Sequence, residues 1–203
     1  MLRRILLWLC AVAVSAGVVF TADSYVTQCA LAEKTIRLHV VANSDNDADQ
    51  QQKLRVRNAV LEAAAHLAAD CKNADEARNA LSGGLSEIEA AAVRVLRAEN
   101  SDADVRVTLQ TEKFETRRYD TFTLPAGNYP SLRVVIGTGA GHNWWCVVFP
   151  SLCTAATGEG LERIAAAGGF DDAESELVTG GEEKYDLRFK TLEWLQSFFD
   201  LFD

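Results

Sequence analysis

Apolar and polar residues alternate along several short segments of the chain, and this alternation predicts β-strands with one buried face. In the first segment, Ile36, Leu38 and Val40 share one side of the strand. The same spacing recurs further along the chain, on both sides of a glycine-rich connection. The predicted strands are residues 35–42, 104–110, 132–136, 145–149 and 185–189.

A three- and four-residue spacing of apolar residues predicts helices between these strands. After a turn at residues 43–45, one helix runs to about Cys71. A second begins near residue 74, is interrupted by two glycines at residues 83–84 and then resumes. A last helix is predicted over residues 192–199. The segment 154–183, rich in Ala, Gly and Glu, shows little sustained pattern, so we expect a mobile surface insertion there.

Residues 124–153 have the pattern of a β-hairpin, and the rest of the chain is arranged around it. Its connection, residues 137–143, contains three glycines, which tolerate positive φ. Pro150 ends the second strand because proline has no N–H to donate. Strands and helices alternate without a regular βαβ order, which favours an α+β fold. We predict a single domain, residues 31–203, with a mixed or antiparallel sheet of about four strands and helices mainly on one face.

The first 30 residues have the pattern of a secretory signal or a membrane anchor. Arg3 and Arg4 precede an uninterrupted apolar run over residues 5–20. That run is short for a membrane-spanning helix, which takes about 20 apolar residues. Residues 14–16 offer small side chains to a signal peptidase. We therefore favour cleavage, with a retained anchor as the alternative, and expect the exported protein to begin after about residues 16–30.

Charge restricts the partners of this chain, whose formal net charge is −9. Without residues 1–30, which hold two arginines and one aspartate, 18 basic and 28 acidic residues remain. Such an acidic domain is repelled by phosphate backbones and by anionic lipid surfaces. We expect no nucleic-acid partner, and membrane contact only through the N-terminal segment if it is uncleaved.

Candidate catalytic and metal-binding residues are few. His39, His66 and His142 show no metal-ligand spacing, so we predict no metal site. The glycines of residues 137–141 join two predicted strands rather than a strand and a helix, so they do not predict a phosphate-binding loop. We therefore expect no cofactor and no small-molecule substrate. Cys146 and His142 could form a nucleophile and its base, although a cysteine inside a strand is ordinary packing.

The second predicted hairpin strand also contains two adjacent tryptophans and a cysteine, for which packing, partner contact or a disulfide is a better interpretation than catalysis. Trp144 and Trp145 must point to opposite faces, so one belongs to the core and the other is a candidate contact anchor. Six residues separate Cys146 from Cys153, and nearby cysteines in an exported protein are usually bridged. We predict a disulfide between them, with Cys71 as the competing partner.

Three blocks of the sequence resemble the stage II sporulation protein R family. They are RLHVVANSDNDADQQQKLRVRNAV at residues 37–60, LPAGNYPSLRVVIGTGAGHNWWCVVFPSLC at residues 124–153, and KYDLRFKTLEW at residues 184–194. The most specific part is the NWWC…PxLC pattern. The sequence departs from the family pattern at Ser151, where a second proline is expected.

The resemblance implies a function. A member of this family is expected to be synthesised in the forespore and exported into the space between the forespore and mother-cell membranes. There it would activate the membrane-embedded aspartic protease that matures the sigma-E precursor, without being an enzyme itself. The alternative is an extracytoplasmic thiol-dependent hydrolase that uses Cys146.

The blocks most similar to the family also predict a contact surface. Alanine at Asn43, Asp45 or Asn143 is expected to reduce activation and to leave the melting temperature nearly unchanged. The complete predicted partner-binding set is Asn43, Ser44, Asp45, Asn143, Trp144 and Trp145.

Overall fold

The computed structural model describes residues 1–154 and 158–179. The predicted strand at residues 185–189 and the predicted helix at residues 192–199 lie outside the described residues. The elements, in chain order, are α1 (Leu2–Glu33), β1 (Ile36–Val41), α2 (Asp47–Leu67), α3 (Ala74–Gly83), α4 (Leu85–Ala98), β2 (Val105–Phe114), β3 (Arg117–Arg118), β4 (Thr123–Leu124), β5 (Gly127–Ile136), β6 (Asn143–Phe149), a 3-10 turn (Leu152–Thr154), α5 (Gly158–Ala167) and α6 (Asp172–Thr179).

Four strands form one mixed sheet in the order β2-β5-β1-β6. β1 runs parallel to β5 and antiparallel to β6, and β2 runs antiparallel to β5. A separate two-stranded ribbon pairs β3 with β4. The prediction of a single α+β domain with a mixed four-stranded sheet is confirmed.

The prediction of a β-hairpin over residues 124–153 is wrong, because β1 lies between β5 and β6. Every residue of β1 is buried, so the strand is most stable in the interior of the sheet. Two strand spacings of about 4.8 Å separate β5 from β6, and the connection 137–142 is long enough to cross them. This connection, which we call the crossover loop, passes over the end of β1.

One face of the sheet packs against α2, α3 and α4, which hold most of the helical residues described after α1, as predicted. Alternate residues of the strands point into this core, as the period of two requires. Leu38, Leu132 and Cys146 belong to it from three different strands. The fully or nearly buried members from the helices are Val56, Val60, Ala64, Ala74, Ala77, Leu81, Ile88, Ala92 and Leu96.

The other face of the sheet, which we call the second face, carries a smaller apolar cluster at one end. There the end of α1, the β3–β4 ribbon, α5 and α6 pack together. The buried members of this cluster are Leu31, Phe122, Leu124, Val147, Leu152, Leu161, Ala165, Phe170 and Val178. Lys34 and Glu174 add an ion pair of 2.6 Å. The described part of the segment 154–183 is therefore helical and packed, and its mobility stays a prediction.

α1 has two parts with different environments. Its first part is exposed, and the helix is long and apolar enough to cross a membrane, with a mean hydropathy of 2.4, although a signal sequence shares these properties. Its last turns are built into the domain, where Ser24 and Leu31 are fully buried. The side chain of Gln28 also donates a hydrogen bond to the backbone oxygen of Ala126. The folded domain thus begins before residue 31.

Candidate functional site

The turn that leaves β1 is joined to the crossover loop by a network of hydrogen bonds. The backbone N–H of Thr138 donates to Oδ1 of Asn43 at 3.0 Å, and its hydroxyl donates to the Asn43 backbone oxygen at 2.9 Å. The backbone N–H groups of Ala140 and Gly141 donate to Asn43 and Ala42. Two predicted blocks, far apart in sequence, therefore meet at one end of the sheet.

Asp49, a residue that the sequence reasoning did not select, organises the turn. Its carboxylate accepts hydrogen bonds from Ser44 at 2.6 Å, from Asn43 at 2.9 Å and from Asn46 at 3.1 Å. These bonds, with that from Ser44 the strongest, hold the pKa of Asp49 below its ordinary value. Asn46 also caps α2 by accepting from the Asp49 N–H. The repeated Asn and Asp residues of this segment indicate such a turn in the sequence, because these side chains favour helix caps and turns.

His142 and Asp45 close the far side of the crossover loop. Asp45 accepts from the backbone N–H of His142 at 2.6 Å, and its carboxylate pairs with Nδ1 of the ring. The backbone bond is the main cause of a lowered pKa for Asp45. From below, the buried ammonium of Lys53 donates to the backbone oxygen of His142 at 2.9 Å.

These contacts change the expectation for alanine at Asn43. Its side chain accepts from Thr138 and donates to Asp49, so its removal leaves partly buried polar groups without partners. We now expect Asn43→Ala to lower the melting temperature together with activation. Asp45 and Asn143 are exposed and keep the original expectation.

The structure distinguishes the two tryptophans. The Trp145 ring stacks on His39 with centroids 3.9 Å apart and meets Phe114 edge to face at 5.2 Å. Trp144 is 38% exposed on the opposite face of β6. Among residues 34–153, it is the one large apolar side chain that is exposed. Of the two, Trp144 is therefore the better placed to contact a partner.

Arg57 is a second residue of this surface that the sequence reasoning missed. Its guanidinium lies 4.3 Å from the centre of the Trp144 ring, in cation–π geometry. The position of Arg57 on α2 gave no signal of this, because an exposed arginine on a helix is ordinary. Arg and Trp are the residues most enriched among interface hot spots, so the pair strengthens the contact-surface hypothesis.

The thiols of Cys146 and Cys153 lie in hydrogen-bonding contact, and both are free in this structure. Donation from the Cys153 thiol lowers the pKa of Cys146 and raises that of Cys153. The Cys153 sulfur also accepts from the backbone N–H of Val147 at 3.2 Å. The 3-10 turn thus brings Cys153 back against β6, whereas Cys71 packs against the helical core.

The disulfide between Cys146 and Cys153 remains a prediction. We expect the exported protein to be bridged, with a stabilisation of roughly 2–3 kcal/mol on the chain-entropy account. Peptide mapping without reductant should show the linked pair and leave Cys71 available to a thiol reagent after denaturation. Labelling of both Cys146 and Cys153 would contradict the prediction.

The structure does not place His142 as a base for Cys146. The Cys146 side chain is buried in the core that faces the helices, while the His142 ring is exposed and pairs with Asp45. The described residues also contain no group of three or more His, Cys, Asp or Glu side chains arranged to hold a metal ion.

His39 supplies a pH-dependent term in stability. Burial lowers its pKa below the ordinary value of 6.5, and the Asn143 side chain and the Glu112 carboxylate oppose this only in part. The unfolded chain then binds a proton that the folded chain excludes, so the free energy of unfolding falls as the pH drops below 6.5. Urea unfolding at about pH 7.5 and about pH 5.5 should show this loss. His39→Gln should reduce it, whereas the same change at exposed His66 should not.

The sheet, its helical layer and the apolar N-terminal helix define a single α+β domain with a leader that is compatible with export. The chain belongs to the stage II sporulation protein R family, whose sequence model matches residues 32–159. It is 30% identical over 188 residues to stage II sporulation protein R of Bacillus subtilis (strain 168), and the alignment covers 83% of each protein. No solved structure matches the chain. The resemblance predicted from the sequence blocks is confirmed.

Proposed function

We propose that this protein is an exported sporulation signal that activates the membrane-embedded aspartic protease responsible for maturing the sigma-E precursor. It acts from the space between the forespore and mother-cell membranes. The observation that carries the proposal is family membership over residues 32–159. The exposed surface at the crossover loop, with Trp144 and Arg57 on one side and Asp45 on the other, supports a binding role.

Activation on this proposal is a matter of differential binding. The domain must bind the active state of the protease more tightly than the inactive state, because equal affinities shift no equilibrium. The hydrogen bonds that tie the crossover loop to the turn hold the surface in one shape before contact. Such preorganisation reduces the entropy lost on binding.

Deletion of the gene in its host tests the proposal. Processing of the sigma-E precursor, followed by immunoblot through sporulation, should stop and should return when the wild-type gene is supplied. A gene without the apolar segment at residues 5–20 is the matched control, because its product stays in the cytoplasm and should not restore processing. Normal processing in the deletion strain would contradict the proposal.

Export makes a separate prediction about the N-terminus. Ser24, Gln28, Leu31 and Ala32 are buried parts of the domain, so cleavage after Ser24 would remove core contacts. We expect N-terminal sequencing of protein from outside the cytoplasm to begin between residues 17 and 24. Intact Met1 in the membrane fraction would instead identify a retained anchor. Intact Met1 in a soluble cytoplasmic pool would contradict export.

The alternative of a thiol-dependent hydrolase makes a different prediction. Cys146→Ser would then abolish activity, whereas an activator should retain activation to the extent that it remains folded. Because Cys146 is buried beside Cys153, the comparison must be made at equal folded fraction, measured by circular dichroism. Loss of activity in a fully folded Cys146→Ser variant would favour the hydrolase.

A further inference from the structure

A polar cavity of about 380 Å³ lies on the second face of the sheet, beyond the apolar cluster. It lies between β2 and β5 at the end where the crossover loop begins. The side chains that line it and can hydrogen-bond are those of Arg106, Thr108, Gln110, Arg133 and Thr138.

Donors predominate in this cavity. Arg106 is exposed and makes no side-chain hydrogen bond or ion pair within the part of the chain that the structure describes. Arg133 donates from Nη1 to Glu112 at 3.1 Å, and its buried Nε has no partner. Glu112 lies beside the cavity, and its Oε1 accepts from Arg133 and from Gln110 at 3.1 Å each, while its Oε2 lies 3.5 Å from Nδ1 of His39. The cavity therefore has unused donors on Arg106 and Arg133, and its two positive charges exceed the one negative charge beside them.

The charge of this cavity is opposite to that of the chain, whose formal net charge is −9. Two guanidinium groups on neighbouring strands can bind a carboxylate through paired N–H donors, a geometry that arginine favours. The net negative charge of the chain repels an acidic partner, and the two arginines counter that repulsion locally, so complementary charge favours binding of such a partner at the cavity.

The cavity is continuous with the candidate contact surface. Thr138 lines the cavity and also donates its hydroxyl to the backbone oxygen of Asn43. A protein bound at the crossover loop would therefore also lie against the cavity that contains the two arginines. This continuity favours a segment of a protein partner over an isolated small anion.

We propose that Arg106 and Arg133 form a second contact site, which binds an acidic segment, Asp or Glu side chains, of the protein partner. The site deepens the proposed function and rests on it for the identity of that partner. Arg106 is the outer residue and makes the ligand contact, while Arg133 is held in place by Glu112. The site adds affinity and orientation to the contact made at Trp144.

The test compares Arg106→Glu with Arg97→Glu in the full-length protein. Arg97 is an exposed arginine on α4, so the two variants change the net charge equally. Binding to the purified protease in detergent should weaken by about tenfold or more for Arg106→Glu and by less than about twofold for Arg97→Glu. Added salt should weaken the wild type more than Arg106→Glu. Equal binding by the two variants would overturn the proposal.

Three further arms separate the possible sources of the anion. A hexaglutamate peptide should bind the wild type and not Arg106→Glu, while inorganic phosphate should bind much more weakly. Phosphate binding as tight as that of hexaglutamate would replace the proposal with a small-anion site. Retention on phosphatidylglycerol vesicles that depends on Arg106 would replace it with a membrane contact. If the wild-type protein does not bind the protease at all, the proposed function fails. The hexaglutamate experiment would still show whether the cavity binds acidic side chains.

Discussion

Trp144→Ala is expected to remove most of the proposed activation of the protease, a larger loss than its effect on stability explains. Trp144 is 38% exposed and contacts the Arg57 guanidinium at 4.3 Å. A tryptophan at the centre of an interface commonly contributes about 2 kcal/mol or more, which corresponds to roughly 30-fold in affinity. In the free protein, the variant loses a cation–π contact of about 0.5–1 kcal/mol and the packing of the covered part of the ring, so the melting temperature should fall by less than in a variant of the more buried Trp145. The measurement is sigma-E precursor processing at matched protein level, together with the melting temperature.

Trp145→Ala is the matched control, because it removes the same side chain from the other face of β6. Trp145 is partly buried between His39 and Phe114, so its loss should cost roughly 3 kcal/mol of stability. Activation should then fall only in proportion to the unfolded fraction. If Trp144→Ala lowered the melting temperature as much as Trp145→Ala, Trp144 would be a packing residue. Normal activation by Trp144→Ala would remove it from the contact surface.

Gly141→Ala is expected to damage both stability and activation, because Gly141 lies where the crossover loop touches the turn after β1. A Cβ at this position would overlap the backbone oxygen of Ser44 and lie 2.9 Å from the Cβ of Ala42. The backbone of Ser44 cannot move aside without breaking the turn's hydrogen bonds. Overpacking of this kind costs about 1–3 kcal/mol. Urea unfolding and the processing assay should both report the loss.

Gly83→Ala provides the control for the chemical change itself. A Cβ at Gly83 would meet no atom within 4 Å, and the residue lies at the end of α3. Alanine is favoured over glycine in helices by up to about 1 kcal/mol, so this variant should be neutral or slightly more stable. If Gly141→Ala were as stable and active as Gly83→Ala, the close contact between loop and turn would not matter for function.

The candidate contact surface was only partly predictable from the sequence. Asn43, Asp45 and Asn143 were selected because their blocks resemble the family; the structure brings these blocks together, and their role in contact stays a prediction. Asp49 was not selected, although the run of Asn, Ser and Asp residues around it is typical of a capped turn. Arg57 was missed because its stacking on Trp144 depends on how α2 lies across β6, which is a tertiary relationship.

The order of the strands in the sheet was also not predictable from local sequence patterns. Local patterns predicted β5 and β6 as neighbours, since a glycine-rich connection between two alternating runs is typical of a hairpin. Pro130 also lies within β5, opposite Thr111 of β2, although proline usually argues against an interior strand. The register and the order of the strands in the sheet depend on which strand has both faces buried. Every residue of β1 is buried, so β1 takes an interior position.

Alternation and helical periodicity by themselves determined the class of fold, the position of most strands and helices, and the apolar leader, because these depend on spacing within a segment. They also determined that the two adjacent tryptophans must face opposite ways. Only the tertiary structure decided that β1 separates β5 from β6, that Trp144 is the exposed ring, and that Arg106 and Arg133 share a cavity. Each of these depends on contacts between segments distant in sequence, and no local spacing encodes the packing energy that selects them.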